Sequence, residues 1–180
     1  NYRKSGLIID VRRNRGGNID SWVIEKLLRR AWAFWPSFNE TNMQQTFRGH
    51  LVILADEYTY SDGETFAAGI KALNIAPVIG KRTAGAGVWL RGQNRLVDNG
   101  MARVAEFSQY AMDGRWIIEG HGIEPTIEVD NLPHATYKGK DAQLEAASEY
   151  LKEKMKKEPI KPLKPNSYPK DNGKAGDVSL

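Results

Sequence analysis

Short apolar runs separated by polar or glycine-containing turns recur along the first 80 residues. Residues 7–11, 51–55 and 75–80 are runs of this kind, and each predicts a buried strand. The intervening segments 20–33 and 61–73 predict helices, the first of them partly amphipathic. Strands that alternate with helices indicate parallel pairing through crossover connections.

Capping and breaking residues set the expected ends of these elements. Asp20 is expected to cap the first helix, and proline, serine and asparagine residues predict a loop over residues 36–42. Near the C-terminus, residues 140–157 predict a helix with one apolar stripe. Prolines in the following stretch predict an extended tail over residues 158–180. The chain is therefore expected to form one domain, residues 1–157, followed by this tail.

The segment between the last predicted strand and the C-terminal helix has a different hydrophobic pattern. Residues 86–118 contain short alternating runs broken by Asn99-Gly100 and by Asp113-Gly114, which are dipeptides typical of hairpin turns. Antiparallel strands are therefore predicted beside the parallel part. The expected fold class is α/β, with a parallel strand core, crossover helices and added antiparallel strands.

Composition narrows the classes of function. The 180 residues have a net charge of +4, but residues 138–180 alone contain ten lysines against seven acids. The basicity therefore belongs to a solvated end of the chain, and a nucleic-acid partner is not expected. The absence of cysteine excludes disulfides, thiolate metal ligands and a cysteine nucleophile. Every apolar run is far shorter than the ~20 residues needed to cross a bilayer, so no membrane partner is expected either.

Ser61 is the strongest candidate for chemistry. It stands after a predicted buried strand and at the start of a predicted helix, where the hydroxyl is exposed beside N–H groups and the positive end of the helix dipole. Such N–H groups can stabilise a developing oxyanion, as a serine acyl-transfer enzyme requires. Ser61 and Glu64 also fit a capping box, in which the serine has a structural role. Both interpretations stay open, because a nucleophile at a helix start also occupies the cap position.

Other candidate groups are less specific. Gly16-Gly17 offers a second set of backbone N–H groups, although it also fits an ordinary turn between a strand and a helix. His50, His121 and His134 are the histidines of the chain, and isolated histidines are more often structural than catalytic. None has metal-ligand spacing to another histidine. No metal and no cofactor is expected.

Five sequence blocks, in this order, resemble the C-terminal catalytic subdomain of tricorn protease and its bacterial homologues. That family is related to the C-terminal processing peptidases. The blocks are LIIDVRRNRGG (7–17), EYTYSDG (57–63), IGKRTAG (79–85), EGHGIEP (119–125) and GKDAQL (139–144). The similarity extends over residues 5–157, and five blocks in order are far more specific than any one of them.

The resemblance implies a crotonase-like, Clp-protease-like fold and peptide-bond hydrolysis through an acyl-enzyme. It places Ser61 at the nucleophile and Glu119 at the acid of a Ser–His–Ser–Glu tetrad. The backbone N–H groups of Gly17 and Asp62 fall on the oxyanion hole. In the family the histidine and its neighbouring serine come from an upstream subdomain, before a PDZ-like insert. None of the histidines of this chain aligns with that base.

The resemblance also implies partners. The family forms hexamers and cleaves peptides or unfolded polypeptides, so a homo-oligomer and an upstream part that supplies the Ser-His pair are expected. Because the chain begins at Asn1 rather than at a methionine, we interpret it as a piece of a larger protein that is inactive alone. A cytoplasmic location is implied by resemblance, with a periplasmic or secreted location as the alternative.

Several alternatives stay open. Processing peptidases use a Ser–Lys dyad, but Ala86 stands where that lysine would stand, so the tetrad branch is favoured. The second hypothesis is an inactive peptide-binding or assembly module of the same fold. The third is a crotonase-type acyl-CoA enzyme, against which Ser61 and Glu119 argue. The aromatic segment 32–36 lacks the aspartate that contributes to trypsin-like specificity in archaeal tricorn, so an apolar residue is expected before the cleaved bond.

Overall fold

The computed structural model describes residues 2–167. Within them the strands form three sheets, one of four strands and two of two strands. In chain order the elements are β1 (Gly6–Asp10), α1 (Asp20–Leu28), β2 (Ala33–Trp35), β3 (Glu40–Asn42), β4 (His50–Ala55), α2 (Asp62–Ala72), β5 (Val78–Gly80), β6 (Trp89–Arg95), β7 (Met101–Phe107), β8 (Ile127–Glu128), α3 (Pro133–Tyr137) and α4 (Ala142–Lys157).

The largest sheet is parallel and has the strand order β1-β4-β5-β8. Leu7 lies opposite Leu51 and Ile9 lies opposite Ile53 where β1 pairs with β4. On the other side of β4, Val78 of β5 lies opposite Ile53. Strands β1, β4 and β5 have apolar residues on both faces, which is the pattern of a parallel sheet covered by helices on both sides.

Helices cover both faces of this sheet and divide the core into two clusters. Because successive side chains of a strand point to opposite faces, the run of β4 contributes alternately to each cluster. The cluster beside α1 and α2 contains Ile24, Ile53, Ala55, Phe66, Ile70 and Val78. The cluster beside α4 contains Val52, Leu54, Ile79, Ala147 and Leu151. The predicted α/β fold with a parallel core is therefore confirmed.

The hairpin of β6 and β7 confirms the antiparallel strands predicted after residue 80. The two strands pair antiparallel, and the N–H of Leu96 donates to the carbonyl of Gly100 at 2.9 Å to close the turn. The second turn signal, Asp113-Gly114, closes a smaller structure. There only Tyr110 and Trp116 form an antiparallel bridge.

Helix α1 is shorter than the sequence predicted, and its cap is different. The helix ends at Leu28 rather than near residue 33, because Arg29 already has an extended backbone with ψ of 139°. Residues Ala33–Trp35 and Glu40–Asn42 are strands that pair antiparallel, so the predicted loop over 36–42 was wrong in part. Aromatic residues favour strands, and a proline after Trp35 disfavours helical backbone at the preceding residue.

The prediction that Asp20 caps α1 was wrong. The structure places Ile19 at the cap position, and Asp20 is the first helical residue. The carboxylate of Asp62 takes the capping role from a distant part of the chain. Its Oδ2 accepts hydrogen bonds from the N–H groups of Ile19 at 2.6 Å and Asp20 at 3.1 Å. Asp62 thereby ties the start of α1 to the start of α2.

Helix α4 agrees with the predicted C-terminal helix. Asp141 caps it, with Oδ1 accepting from the N–H of Leu144 at 3.0 Å. Residues 158–167 contain no helix or strand, and the rest of the predicted tail lies outside the described residues. Among residues 2–167, none of the helices has the length and apolar character required for a membrane span.

An ion pair joins the parallel sheet to α4. The guanidinium of Arg12, just after β1, donates to Asp141 Oδ1 at 2.8 Å and to Asp10 Oδ2 at 2.7 Å. The hydrogen bond from Arg12 holds the pKa of Asp141 well below its usual range, and the two carboxylates raise the pKa of Arg12. Because the pKa of Asp141 is lowered in the folded state, its ionised form stabilises the fold.

We predict that Asp141→Asn lowers the free energy of unfolding at neutral pH by about 0.5 kcal/mol, since the ion pair is lost while asparagine still caps the helix. A lowered folded pKa means that this contribution is complete above about pH 4, the ordinary aspartate pKa, and is lost as the pH falls further. Urea unfolding of both proteins at several pH values measures the difference.

Asp113→Asn is the matched control, because Asp113 pairs with neighbouring Arg115 on an exposed turn. It should change the unfolding midpoint less than Asp141→Asn does. A wild-type-to-Asp141→Asn difference that stays constant from pH 7 to pH 3 would contradict the assigned ion pair.

Candidate active site

Ser61 lies in a strained turn between β4 and α2. Its φ of 54° and ψ of −119° are unusual for a residue other than glycine. The flanking backbone is fixed on both sides, since the N–H of Tyr60 donates to the Asn14 carbonyl at 2.8 Å and the N–H of Glu64 donates to the Ser61 carbonyl at 2.8 Å. Strained backbone of this kind persists only where the surroundings impose it, and it is concentrated at functional sites.

Glu64 holds this turn against a neighbouring loop. Its side chain is fully buried, with 0% exposure, and it accepts four hydrogen bonds. Oε2 accepts from the N–H groups of Ser61 at 3.0 Å and Ala86 at 2.9 Å. Oε1 accepts from the hydroxyl of Thr83 at 2.6 Å and from the N–H of Gly85 at 2.7 Å. The carboxylate thus joins the serine turn, the first turn of α2 and the loop 83–86.

The predicted capping box between Ser61 and Glu64 is present, and its two halves differ. The Glu64 half is a full hydrogen bond to the Ser61 N–H. The Ser61 side chain makes no cap hydrogen bond of normal geometry. The glutamate therefore makes the stronger half of the capping box, and the Ser61 side chain makes the weaker half.

The Gly16-Gly17 loop packs directly against Ser61. Both glycines have a positive backbone φ, 96° for Gly16 and 137° for Gly17, and residues other than glycine rarely adopt such values. A Cβ atom at Gly16 would lie 2.7 Å from Ser61 Cβ, 3.0 Å from Ser61 Oγ and 3.3 Å from the backbone nitrogen of Asp62. The loop can approach the serine this closely only because position 16 has no side chain.

Three of the four predicted site residues line one cavity of about 550 Å³: Gly17, Ser61 and Asp62. The Asp62 N–H opens α2 and has no acceptor within the part of the chain that the structure describes. The carboxylate of Asp62 is separately engaged at the start of α1. The cavity thus brings together the serine and the two backbone segments that were predicted to form the oxyanion hole.

Glu119 does not line this cavity. Its Oε2 accepts from the N–H groups of Gly87 and Val88, both at 2.9 Å. Gly87 and Val88 do line the cavity. Glu119 therefore supports the cavity wall, and among residues 2–167 its side chain makes no hydrogen bond to Ser61, Gly17 or Asp62.

None of the histidines lines the serine cavity. His50 Nε2 lies 2.7 Å from the carbonyl of Glu158, and His121 Nδ1 lies 2.9 Å from the carbonyl of Glu119. His134 lies on the short helix α3. In residues 2–167, acidic and histidine side chains form no group of three suited to a metal ion.

Sequence reasoning missed part of the cavity and its support. The aromatic segment 32–36, expected to influence specificity, contributes no residue to the cavity lining, whereas Arg15 and Tyr60 do. The wider role of Glu64 was also missed, because a capping box shows only the local partner. Thr83 and Gly85 lie in one of the matched sequence blocks, which was the available signal that this loop meets the serine turn.

Sequence comparison places the chain among known peptidases. The model of Peptidase family S41 matches residues 1–129. Tricorn protease homolog 1 of Streptomyces coelicolor is 37% identical over 147 residues, which are 80% of this chain and 14% of the relative. Tricorn protease of Thermoplasma acidophilum is 32% identical over 154 residues, covering 84% of this chain and 14% of the relative.

Solved structures agree with the sequence match. The crystal structure of the tricorn protease superimposes with a TM-score of 0.77 and 30% identity, covering 84% of this chain and 16% of that one. The photosystem II D1 C-terminal processing protease has a TM-score of 0.53 at 22% identity over 82% of this chain and 39% of that one, and shares the fold.

The predicted resemblance to tricorn protease is confirmed by these matches, although the chain spans only about 14% of the length of the two curated relatives described above. The family match, the tricorn homologues and the tricorn fold agree over the region that contains Ser61. The chain belongs to peptidase family S41 and is a tricorn-like member of it.

Proposed function

We propose that this chain is the nucleophile-bearing part of a tricorn-like serine endopeptidase. The observation that carries the proposal is the position of Ser61, in a strained turn on a cavity it shares with Gly17 and Asp62. A cap alone would need neither the strained backbone nor the close approach of the glycine loop.

The reaction proceeds in two halves. Ser61 Oγ attacks the carbonyl carbon of the peptide while its proton passes to a base, and the carbonyl oxygen becomes an oxyanion. The N–H groups of Gly17 and Asp62 donate to that oxygen, which is the interaction that oxyanion holes supply. Collapse of the tetrahedral intermediate expels the amine with the transferred proton and leaves an acyl-enzyme. Water then attacks the ester and releases the acid and the free serine.

The base comes from outside this chain. A neutral serine hydroxyl is a weak nucleophile without one, and none of the histidines here reaches the cavity. Ala86 stands at the lysine position of the dyad enzymes, and its methyl group cannot accept a proton. We therefore assign the base to an upstream Ser-His pair, before a PDZ-like domain, and Glu119 to the orienting acid of the tetrad. Assembly of that enzyme as a homo-oligomer, a hexamer by resemblance, is part of the same proposal.

One alternative function rests on the same observation. The lack of a base at the cavity also fits an inactive peptide-binding or assembly module of this fold. The sequence upstream of residue 1 separates the two, because the module hypothesis requires that the Ser-His pair be absent there.

We predict that residues 1–180 alone hydrolyse a fluorogenic peptide no faster than buffer, whereas the full-length protein hydrolyses it and loses at least 10³-fold in kcat on Ser61→Ala. Initial rates for the fragment, the full-length protein and the variant provide the measurement. Turnover by the fragment that Ser61→Ala abolishes would overturn the assignment of the base. Full activity in the full-length Ser61→Ala variant would overturn the nucleophile.

Gly16→Ala should lower kcat/KM of the full-length enzyme by about 10²-fold. The added Cβ would meet Ser61 Cβ at 2.7 Å, and a displacement of catalytic groups by about 1 Å costs this much. Gly114→Ala is the matched control, because Gly114 also has positive φ, 85°, but its Cβ position faces open space. Steady-state kinetics that show equal losses for the two variants would contradict the close approach of the Gly16 loop to Ser61.

A further inference from the structure

A second cavity, of about 660 Å³, borders the one that contains Ser61. Arg15 and Tyr60 line both cavities, so the two spaces meet beside the serine turn. The remaining lining residues of the second cavity are Arg13, Glu57, Tyr58 and Ala84. Its volume lies in the range of about 300–1,000 Å³ that is typical of ligand sites.

The lining of this cavity has a surplus of positive charge. Arg13 and Arg15 contribute two guanidinium groups, and Glu57 contributes one carboxylate. Neither arginine forms an ion pair with any of residues 2–167. Their donors are therefore free to bind an anion that enters the cavity, and the planar guanidinium group matches the two oxygens of a carboxylate.

The fold holds Arg13 in place from two sides. Its backbone has a φ of 60°, and its N–H donates to Asp56 Oδ1 at 2.9 Å. The same oxygen accepts from the N–H of Tyr58 at 3.1 Å, which fixes the two segments together. The Arg13 guanidinium carbon then lies 5.6 Å from the centre of the Tyr58 ring, a cation–π contact. A strained backbone and an aromatic support position this charge at the cavity.

We propose that this cavity is a substrate subsite that binds a carboxylate of the peptide. The proposal rests on the proposed peptidase function of the neighbouring serine. A peptide that crosses Ser61 enters the second cavity between Arg15 and Tyr60, where the two arginines bind its carboxylate and the tyrosine hydroxyls can donate further hydrogen bonds. Two sources share this chemistry, an acidic side chain and the C-terminal carboxylate of the substrate.

Binding to the full-length protein carrying Ser61→Ala tests the subsite without any need for turnover. The probes are fluorescein-labelled octapeptides whose other side chains are uncharged. In one set of pairs, Glu is compared with Gln at each position in turn. In the other pair, a free C-terminus is compared with an amidated one. Fluorescence anisotropy at low salt should give about two- to fivefold tighter binding for the carboxylate member of at least one of these pairs. The preference should shrink as ionic strength rises, because the arginines are exposed to solvent.

Charge variants in the same background assign the preference to this cavity. Arg13→Gln combined with Arg15→Gln should bring the carboxylate-to-amide affinity ratio to about one. Glu57→Gln should raise the ratio, because it removes the opposing charge from the lining. Arg95→Gln is the matched control, since Arg95 is an exposed arginine on β6 that lines neither cavity. It should leave the ratio unchanged.

The possible results distinguish the two sources of the bound carboxylate. A preference confined to Glu peptides identifies an acidic side chain as the bound group, and one confined to free C-termini identifies the terminal carboxylate. Equal affinities throughout, or a preference that survives the double arginine variant, would overturn the subsite. Thermal unfolding checks that the variants fold, and Arg15→Gln alone gives the second reading if the double variant is unstable. Since Ser61→Ala cannot turn over, this result is independent of whether the enzyme hydrolyses peptides.

Discussion

The buried carboxylate of Glu64 is the constraint on which the site depends. It is fully buried, and its hydrogen-bond partners are neutral groups on the serine turn and the loop 83–86. Removing a carboxylate from water is costly unless hydrogen bonds replace the lost hydration, so the four donors must converge on it. The Ser61 N–H is one of these donors, and Ser61 also lines the cavity. The Ser61 N–H reaches this carboxylate from a strained backbone conformation.

A second constraint operates on the opposite side of the serine. Gly16 packs within contact distance of Ser61, and Asp62 bonds to the start of α1. The loop after β1 and the turn after β4 therefore cannot move independently, although they are far apart in sequence. Parallel strands bring them together, because the carboxyl ends of β1 and β4 lie at the same edge of the sheet. The fold thus supplies a serine and two sets of N–H groups from separate connections at one edge.

The hydrophobic pattern of the sequence correctly predicted the elements that depend mainly on local burial and turn chemistry. The apolar runs of β1 and β4, the helix α4 and the hairpin turn at Asn99-Gly100 follow from burial and turn chemistry, and each is present. The cap of α1 could not be predicted, because the carboxylate that supplies it, Asp62, is 42 residues away. Tertiary packing likewise determines the contacts of Glu119 with the cavity wall. It also determines the position of Arg13 and Arg15 beside the serine cavity. Ser61 could be predicted as the nucleophile only because five sequence blocks match the family in order. Its local sequence fits a simple helix cap equally well.

Under the proposed function, the catalytic groups are divided between this chain and an upstream part of the protein. Here the structure holds Ser61 and the candidate oxyanion donors in place, while the base is proposed to come from upstream. The most direct measurement is intact and peptide-level mass spectrometry of the full-length protein after reaction with a fluorophosphonate. The account predicts one adduct, on Ser61, because only an activated serine reacts rapidly. An adduct on another residue, or none in a protein that hydrolyses peptides, would contradict it.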